Sequence, residues 1–304
     1  MKSKLIGVPR TLLYYNVAEK LESFFDLLEV NLLVSPPTSK SLIKKGNSFS
    51  IDEACLPVKA GLGHLDYLAN NGADAIFMPR VVSIERNKYI CPKFLGLPEY
   101  CTSLMPHLPP LISPTIDLRT KNGIKKFCMD LGKELKIQPF KVKEALFKVK
   151  PEKRNKPKLM GKELNIAVLG HSYNIYDPGL NLAILEKTKK YANVKTVEDY
   201  TENELNMGRD LLPKPLFWSY GEQIAAAAIS SMEKGEVQGI IVVTSFGCGP
   251  HSFITEIIEQ HYKKRKQIPI LYLTLDEHSA EAGLITRLEA FMDLLTLRRE
   301  KIWA

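Results

Sequence analysis

The sequence has few cysteines, and none of them is paired in the CxxC spacing that is typical of zinc ribbons. The five cysteines are scattered along the chain and are odd in number, which argues against a disulfide framework. A chain of 304 residues can bury enough apolar surface to fold without such cross-links. Free thiols, a composite metal site or a metal cluster remain as roles for these cysteines.

Long hydrophobic runs are also lacking. No stretch approaches the roughly 18 apolar residues that a membrane span needs. The amino-terminal stretch MKSKLIGVPR is too short for a signal peptide and is interrupted by Pro9. We therefore expect a cytoplasmic protein without a membrane partner, in a compartment where thiols stay reduced.

Two nucleotide-binding motifs are missing as well. The sequence contains no phosphate loop of the form GxxxxGKS/T, and no GxGxxG follows a predicted strand. We therefore do not expect this chain to hydrolyse ATP itself.

Positive charge is concentrated in one part of the chain. The net charge is +8, and residues 133–162 alone, with eleven Lys and Arg against three Glu, account for all of it. The remainder is close to neutral, so the basic balance is a local helix-and-linker feature rather than a general basic face. This distribution argues against nucleic acid as a partner.

Short apolar runs alternate with amphipathic helical patterns in both halves of the chain. This alternation predicts an α/β protein with parallel sheets. We interpret it as two Rossmann-like or flavodoxin-like domains facing each other. Their predicted bounds are 1–150 and 163–304, joined by a basic, Pro-interrupted linker over 151–162.

Three local features of this pattern can be compared with the structure. The segment 52–72 is predicted to be a helix with Asp52 as its N-cap and Pro57 in its first turn. Residues 86–118 are predicted to be a long irregular loop, and residues 180–192 one continuous helix.

Three cysteines share a local signature. Cys55, Cys91 and Cys248 each precede a proline by one or two residues and lie in a predicted loop or at a predicted helix start. A helix N-terminus favours the thiolate, which is the form that binds iron, and glycines beside Cys248 allow the backbone to approach a bulky cluster. The competing interpretation is that each is a small buried apolar side chain. Cys128, in a helical pattern, is assigned to core packing, and Cys101 is not assigned as a ligand.

Three thiolates leave one corner of a four-iron cube without a protein ligand. An open corner indicates chemistry at iron rather than simple electron relay, by analogy with the open position of catalytic zinc. The sequence therefore predicts an iron–sulfur cluster, either [4Fe–4S] or double-cubane. A zinc site with three cysteines and one of His64, His251 or His278 is the alternative.

Polar residues in the same loops are candidates for the surroundings of the site. Glu53 and His251 are proposed as catalytic groups, with a helix-terminal charge and a hydrogen-bonded loop histidine as their structural interpretations. Substrate-contacting or supporting roles, with surface ion pairs or structural hydrogen bonds as the alternatives, are assigned to Arg10, Arg80, His171, Asn174, Tyr176, Asp177, Asp276, Glu277 and His278.

Several blocks of the sequence resemble the acyl-CoA dehydratase activase-related family of anaerobes. The resemblance extends over most of the chain, apart from 119–160 and 190–212. The blocks are IGVPRTLLYY, SPPTSK, DEACLPVK, FMPRVVSIERNKYICPKFLGLPE, GHSYNIYDP, TSFGCGPHS and LTLDEHSAEAGLITRLEAF. More distantly, the family is similar to the cluster-bearing subunits of 2-hydroxyacyl-CoA dehydratases and to double-cubane cluster proteins.

The resemblance implies a cluster held by three cysteines per subunit between α/β domains, here Cys55, Cys91 and Cys248. It also implies a separate ATP-hydrolysing activase that injects low-potential electrons, and a homodimer or a heterodimer with a related subunit. The expected activity is ATP-activated reduction or (R)-2-hydroxyacyl-CoA dehydratase-like dehydration. A non-catalytic electron carrier or scaffold for an activase system is the alternative.

Overall fold

The computed structural model describes residues 4–149, 161–265 and 268–303. The chain divides into two compact units, one comprising 1–154 with 217–219 and the other 155–216 with 220–304. The predicted linker, 151–162, lies outside the described residues except for its last two. Residues 217–219 belong to the first unit because Tyr89 forms an isolated parallel bridge with Trp218 and stacks on Phe217 at 4.7 Å between ring centroids.

The first unit contains six strands and six α-helices in its described part. The strands are β1 (Leu5–Val8), β2 (Asn31–Val34), β3 (Ala75–Phe77), β4 (Arg80–Ser83), β5 (Leu111–Ile112) and β6 (Thr115–Asp117). The helices are α1 (Tyr14–Leu27), α2 (Lys40–Asn47), α3 (Leu56–Asn70), α4 (Leu97–Leu104), α5 (Gly123–Glu134) and α6 (Pro139–Lys148), with a 3₁₀ turn at Pro92–Phe94.

Four parallel strands form the main sheet of this unit, in the order β2-β1-β3-β5, and β4 pairs with β6 in a separate parallel ribbon. Ile6, Val8 and Ile76 are buried in the sheet, as expected for parallel strands covered on both faces. The strand order reverses between β1 and β3, because β2 lies on the outer side of β1 and β5 lies on the outer side of β3. This place is called the reversal point of the sheet. In folds of this kind ligands bind at the carboxyl ends of such strands.

The second unit repeats this strand order. Its strands are β7 (Asn165–Leu169), β8 (Asn193–Lys195), β9 (Gly239–Ser245) and β10 (Ile270–Leu275), all parallel, in the order β8-β7-β9-β10. Its helices are α7 (Ser172–Tyr176), α8 (Pro178–Asn181), α9 (Ile184–Tyr191), α10 (Glu202–Asp210), α11 (Ser219–Lys234), α12 (Gly249–Arg265) and α13 (Glu281–Trp303), with a 3₁₀ turn at Val197–Asp199. All seven residues of β9 are buried. The reversal point here lies between β7 and β9.

These sheets confirm the predicted class, two α/β units with parallel, flavodoxin-like strand order. Three local predictions were wrong. The helix predicted from Asp52 begins at Leu56, so its N-cap is Cys55, although Pro57 does lie in the first turn. The stretch 86–118 contains α4, β5 and β6 rather than one loop. The helix predicted over 180–192 is broken because Leu182 and Ala183 both take positive φ.

None of the helices that the structure describes combines the length and the apolar character needed to cross a bilayer.

Candidate functional site

Cys55 lies at the N-terminus of α3, at the carboxyl edge of the first sheet. Its backbone is extended (φ −70°, ψ 150°), it occupies the N-cap, and no side-chain hydrogen bond caps the helix. Its side chain is buried, with 9% of the residue surface exposed. Cys55 therefore lies at the N-terminal end of α3, the positive end of the helix dipole.

Cys91 occupies the same kind of position before the 3₁₀ turn Pro92–Phe94, and Phe94 N–H donates to its carbonyl at 3.0 Å. The thiol is half-buried. The pKa of Cys91 is raised, mainly by burial and further by the nearby Cys55. A hydrogen bond from the Lys93 backbone and the charge of Lys93 lower it in part. The electrostatic influence of Cys55 on Cys91 means that the first unit brings these two thiols into one neighbourhood.

The loop after β1 reaches this neighbourhood. Thr11 donates from its hydroxyl to the carbonyl of Pro57 in the first turn of α3, at 3.5 Å. Arg10 N–H donates to the Ser35 hydroxyl at 2.7 Å, and the Arg10 guanidinium lies 5.7 Å from the ring centroid of Tyr14. Arg10 therefore lies in the loop after β1 that contacts the first turn of α3 through Thr11.

Two other predicted residues of this unit have surface positions. Arg80 forms an ion pair with Glu99, which is 62% exposed, and donates to the carbonyl of Ser113 at 3.4 Å. This is the surface ion pair that was the alternative for Arg80. Glu53 is exposed, in a turn that is closed by Ala54 N–H donating to the Ile51 carbonyl.

Lys59 is a residue of this region that the sequence interpretation missed. It lies one helical turn after Cys55, and only 4% of its surface is exposed. It adds a basic side chain to the buried surroundings of this helix start. The sequence signal was a basic residue inside the otherwise apolar run LPVKAGL.

His64 has both ring nitrogens occupied. Ser35 Oγ lies 2.8 Å from Nδ1 and Thr38 Oγ1 lies 2.9 Å from Nε2. Burial, and secondarily the charge of Arg10, lowers the pKa of His64 to about 4. A histidine bonded on both nitrogens has no lone pair left for a metal, which weighs against the predicted role of His64 as the fourth zinc ligand.

The second unit brings two predicted histidines together. His171 directly follows Gly170 after β7, and His251 lies in the first turn of α12, after β9. Their Nδ1 atoms are 3.1 Å apart, and their ring centroids 4.9 Å apart at 68°. Burial lowers the pKa of His171 to about 4 and holds the pKa of His251 well below its usual range, so both rings are neutral at neutral pH.

Cys248 belongs to the same edge as these histidines. It lies in the loop between β9 and α12, three residues before His251, and it is half-buried. Its N–H donates to the Ser245 carbonyl at 3.1 Å, and its own carbonyl accepts from Ser252 N–H at 3.0 Å. Gly247 has φ +75°, a conformation that glycine adopts without strain.

Asn174 and Tyr176 lie in α7 but have different surroundings. Asn174 Oδ1 accepts from the Ser245 hydroxyl at 2.9 Å, whereas its Nδ2 is buried and has no hydrogen-bond partner within the described ranges. The Tyr176 hydroxyl bonds Thr196 at 2.8 Å and Glu198 at 2.9 Å, and burial is the main cause that raises its pKa. Asp177, next in sequence, caps α8 by accepting from Gly179 N–H at 3.0 Å.

The predicted loop 276–278 forms a turn before α13. Asp276 Oδ1 accepts from His278 N–H at 3.0 Å and from the Ser279 hydroxyl at 2.9 Å. The His278 side chain is 83% exposed and lies 4.0 Å from Glu277. These bonds support the structural interpretation of the loop.

The remaining cysteines lie in hydrophobic surroundings. Cys128 packs in the core of the first unit with Phe127 and Leu131, as predicted, and burial raises its pKa to about 11. Cys101 is 1% exposed in α4, where burial raises its pKa to about 12. Within the described ranges, no three His, Cys, Asp or Glu side chains are grouped so that they could hold a metal ion.

Comparison with protein families gives two overlapping matches. The family described as "CoA enzyme activase uncharacterised domain" matches residues 5–200, and the family described as "2-hydroxyglutaryl-CoA dehydratase, D-component" matches residues 142–295. Each match covers more than half of the chain.

Comparison with individual proteins adds less. No curated protein gives a significant match. Among solved structures, the chain is similar to an ABC transporter periplasmic solute binding protein from Actinobacillus succinogenes 130z with bound D-allose. The identity is 13%, over 90% of this chain and 96% of that chain, and the TM-score is 0.24, which is too low to support an argument.

Proposed function

This chain belongs to the activase-related family of 2-hydroxyacyl-CoA dehydratase-like proteins, and we propose that it is an iron–sulfur redox protein with Cys55, Cys91 and Cys248 as cluster ligands. The observation that carries the proposal is the neighbourhood of Cys55 and Cys91, two thiols at two helix starts in one unit. Cys248 is the third ligand of the proposal on its sequence signature and on its loop at the carboxyl edge of the second sheet.

The donor set suits such a group. Thiolate is the usual ligand of iron in these clusters, and backbone N–H groups at helix starts hydrogen-bond to cluster sulfur. Cys55 has an extended backbone at the N-cap of α3, and Cys91 directly precedes a 3₁₀ turn, so both thiols lie at helix starts. Lys59, buried one helical turn after Cys55, and the guanidinium of Arg10 are basic side chains of this region, which suits an anionic group.

The cluster, when bound, would supply electrons one at a time at low potential. The chain's own residues would hold it, shield it from water and, through three rather than four thiolates, leave one iron accessible to a ligand. Energy input would come from a separate ATP-hydrolysing activase, since this sequence contains no phosphate loop. The proposed activity is ATP-activated reduction or 2-hydroxyacyl-CoA dehydratase-like dehydration, in a homodimer or with a related subunit.

The test is the iron and acid-labile sulfide content of the full chain purified without oxygen, with electron paramagnetic resonance after reduction. About four irons per chain would support a single open cube, and about eight a double-cubane arrangement. Cys55→Ser, Cys91→Ser and Cys248→Ser should each lose the cluster. Cys128→Ser, which changes a buried core thiol, is the matched control and should keep it.

Each outcome bears on the proposal. Full iron retention in any one of the three variants would remove that residue from the ligand set. No iron after anaerobic reconstitution, together with bound zinc, would replace the redox proposal by the zinc alternative. A chain with a cluster but without substrate turnover, when supplied with an activase, would be an electron carrier or scaffold.

A further inference from the structure

His171 is fixed beside strand β9 at the reversal point of the second sheet, between β7 and β9. A side-chain Cβ at Gly170, the last residue before His171, would lie 2.5 Å from the Val243 carbonyl oxygen of β9. Only glycine therefore fits at this place, and the close approach of the two strands positions His171 beside the end of β9. Parallel α/β sheets bind ligands at this kind of place.

His171 is held rigidly once it is there. The Tyr173 ring stacks on the imidazole, with centroids 5.0 Å apart and an angle of 9° between planes, and the Tyr220 ring meets it edge-on at 5.9 Å. Its Nδ1 is 3.1 Å from Nδ1 of His251. His171 keeps 7% of its surface exposed, whereas His251 is fully buried.

The contact between the two Nδ1 atoms couples the tautomers of the two rings. A neutral imidazole carries one N–H, so one ring must donate from Nδ1 and the other must accept at Nδ1. The donor ring is left with a bare Nε2, and the acceptor ring is left with an Nε2–H. Proton positions on the two rings are therefore decided together.

The unpartnered nitrogen of His251 indicates which arrangement is favoured. Its Nε2 is buried and has no hydrogen-bond partner among the residues that the structure describes. A buried N–H without an acceptor is rarer, and costs more, than a buried acceptor without a donor. In the arrangement of lower free energy, His251 donates from Nδ1–H to Nδ1 of His171, so that His171 carries its proton on Nε2.

Other buried polar atoms at this edge also lack partners. Asn174 Nδ2 on α7 and Thr244 Oγ1 near the end of β9 are both buried and form no hydrogen bond in the described part of the chain. Unsatisfied buried groups are uncommon in folded proteins, and each one calls for an explanation such as a bound molecule or water. Asn174 follows the end of β7 and Thr244 is the last residue but one of β9, so both belong to the carboxyl edge, where sheets of this kind bind ligands.

We propose that His171 is a neutral hydrogen-bond donor that binds a carbonyl or carboxylate oxygen of a small molecule at this edge. His251 acts through His171 as a positioning residue that keeps the proton on Nε2. A neutral imidazole can polarise a carbonyl in this way without first having to bind a proton. The inference does not depend on the cluster, because it is argued from the contact between His171 and His251 and from the unbonded atoms near it.

The tautomers can be measured directly. The full chain is labelled with ¹⁵N-histidine, purified without cluster, and studied by long-range ¹H–¹⁵N correlation, with His171→Asn used to assign the His171 signals. We expect a single His171 form with protonated Nε2 and unprotonated Nδ1. Acetate, and N-methylacetamide as a neutral carbonyl probe, should each shift the Nε2–H signal of His171 in a saturable way.

Two substitutions of His251 form a matched pair. His251→Leu cannot donate to His171 and should give a mixture of tautomers, with loss of the probe-induced shift. His251→Asn places an amide donor near the position of Nδ1 and should restore the single form, and it also serves if the leucine variant does not fold.

A His171 protonated on Nδ1 in the unsubstituted chain would overturn the proposal. Unchanged His171 signals in a folded His251→Leu variant would remove the positioning role. An Nε2–H form that neither probe shifts would remove the ligand role. Because no iron is present, these results are independent of the outcome for the cluster.

Discussion

Lowering the pH should destabilise the first unit through one buried histidine. His64 is fully buried and bonded by the hydroxyls of Ser35 and Thr38. Burial first, and the charge of Arg10 second, lower its pKa to about 4 from an ordinary value near 6.5. In the unfolded chain the imidazole takes up a proton at a higher pH than in the folded chain.

The magnitude follows from the two pKa values. The contribution of His64 to stability is complete above about pH 6.5 and is lost as the pH falls toward about 4, because only the unfolded state binds a proton in that interval. Between about pH 7.5 and about pH 5 the linkage relation gives a loss of about 2 kcal/mol.

Hydrogen exchange at the α3 amides, followed by mass spectrometry in the full chain, measures this loss within the unit that contains His64. Exchange rates are corrected for the pH dependence of intrinsic exchange. His64→Gln keeps a polar side chain without titration in this range, so its opening free energy should not show the loss. Thr38→Val is the matched variant, since it removes one hydrogen bond but keeps the imidazole.

The reasoning is refuted if the unsubstituted chain and His64→Gln lose the same stability between the two pH values. Thr38→Val should be less stable at neutral pH, by about 1–3 kcal/mol for an unsatisfied buried nitrogen. It should nevertheless retain the acid-dependent loss. A Thr38→Val chain without that loss would assign the effect to the hydrogen bond rather than to protonation.

Two further predictions concern packing and thiol reactivity. Gly63→Ala should lower the free energy of unfolding by about 1–3 kcal/mol or more in urea titration, because the new Cβ would lie 2.0 Å from the Leu42 carbonyl oxygen of α2. Gly96→Ala meets no atom within 4 Å and should change it by less than about 0.5 kcal/mol, and equal effects would contradict the packing argument. Cys101 and Cys128, whose pKa values burial raises to about 12 and about 11, should react with Ellman's reagent only after unfolding. Rapid native labelling that disappears in Cys101→Ser or Cys128→Ser would show that these thiols are accessible.

Local patterns predicted the framework of the fold well. Apolar runs such as those of β1 and β9 form buried parallel strands, because both faces of a parallel sheet are covered. Helical spacing assigned Cys128 to the core correctly. Gly72, with φ +87°, follows the C-cap Asn71 where the sequence placed the end of α3.

The failures of sequence interpretation have physical causes. Leu182 and Ala183 have ordinary helical propensities, so nothing in their local sequence indicates the positive φ values that break the helix there. Asp52 had suitable chemistry for an N-cap, but the turn at 51–54 moves the start of α3 to Leu56. Local propensity is a weak predictor where tertiary contacts select the backbone conformation.

Pairings between distant residues could not be predicted at all. Ser35 and Thr38 are 29 and 26 residues from His64, and His171 is 80 residues from His251. Each histidine was recognised as a candidate, but its partner follows only from the sheet topology. The same topology bears on their roles: bonding on both nitrogens weighs against metal ligation by His64, and contact at one nitrogen couples His171 to His251.

The polar groups at the carboxyl edges of the two sheets differ. At the first edge they are a buried lysine, an arginine and two thiols. At the second edge two neutral imidazoles and an amide lie in the same region as Cys248, the third ligand of the proposed cluster. If the histidine pair binds its ligand independently of the cluster, His251→Leu should leave iron content unchanged, and Cys55→Ser should leave the His171 tautomer unchanged. A chain in which either substitution alters the other property would show that the histidine pair and the cluster ligands depend on each other.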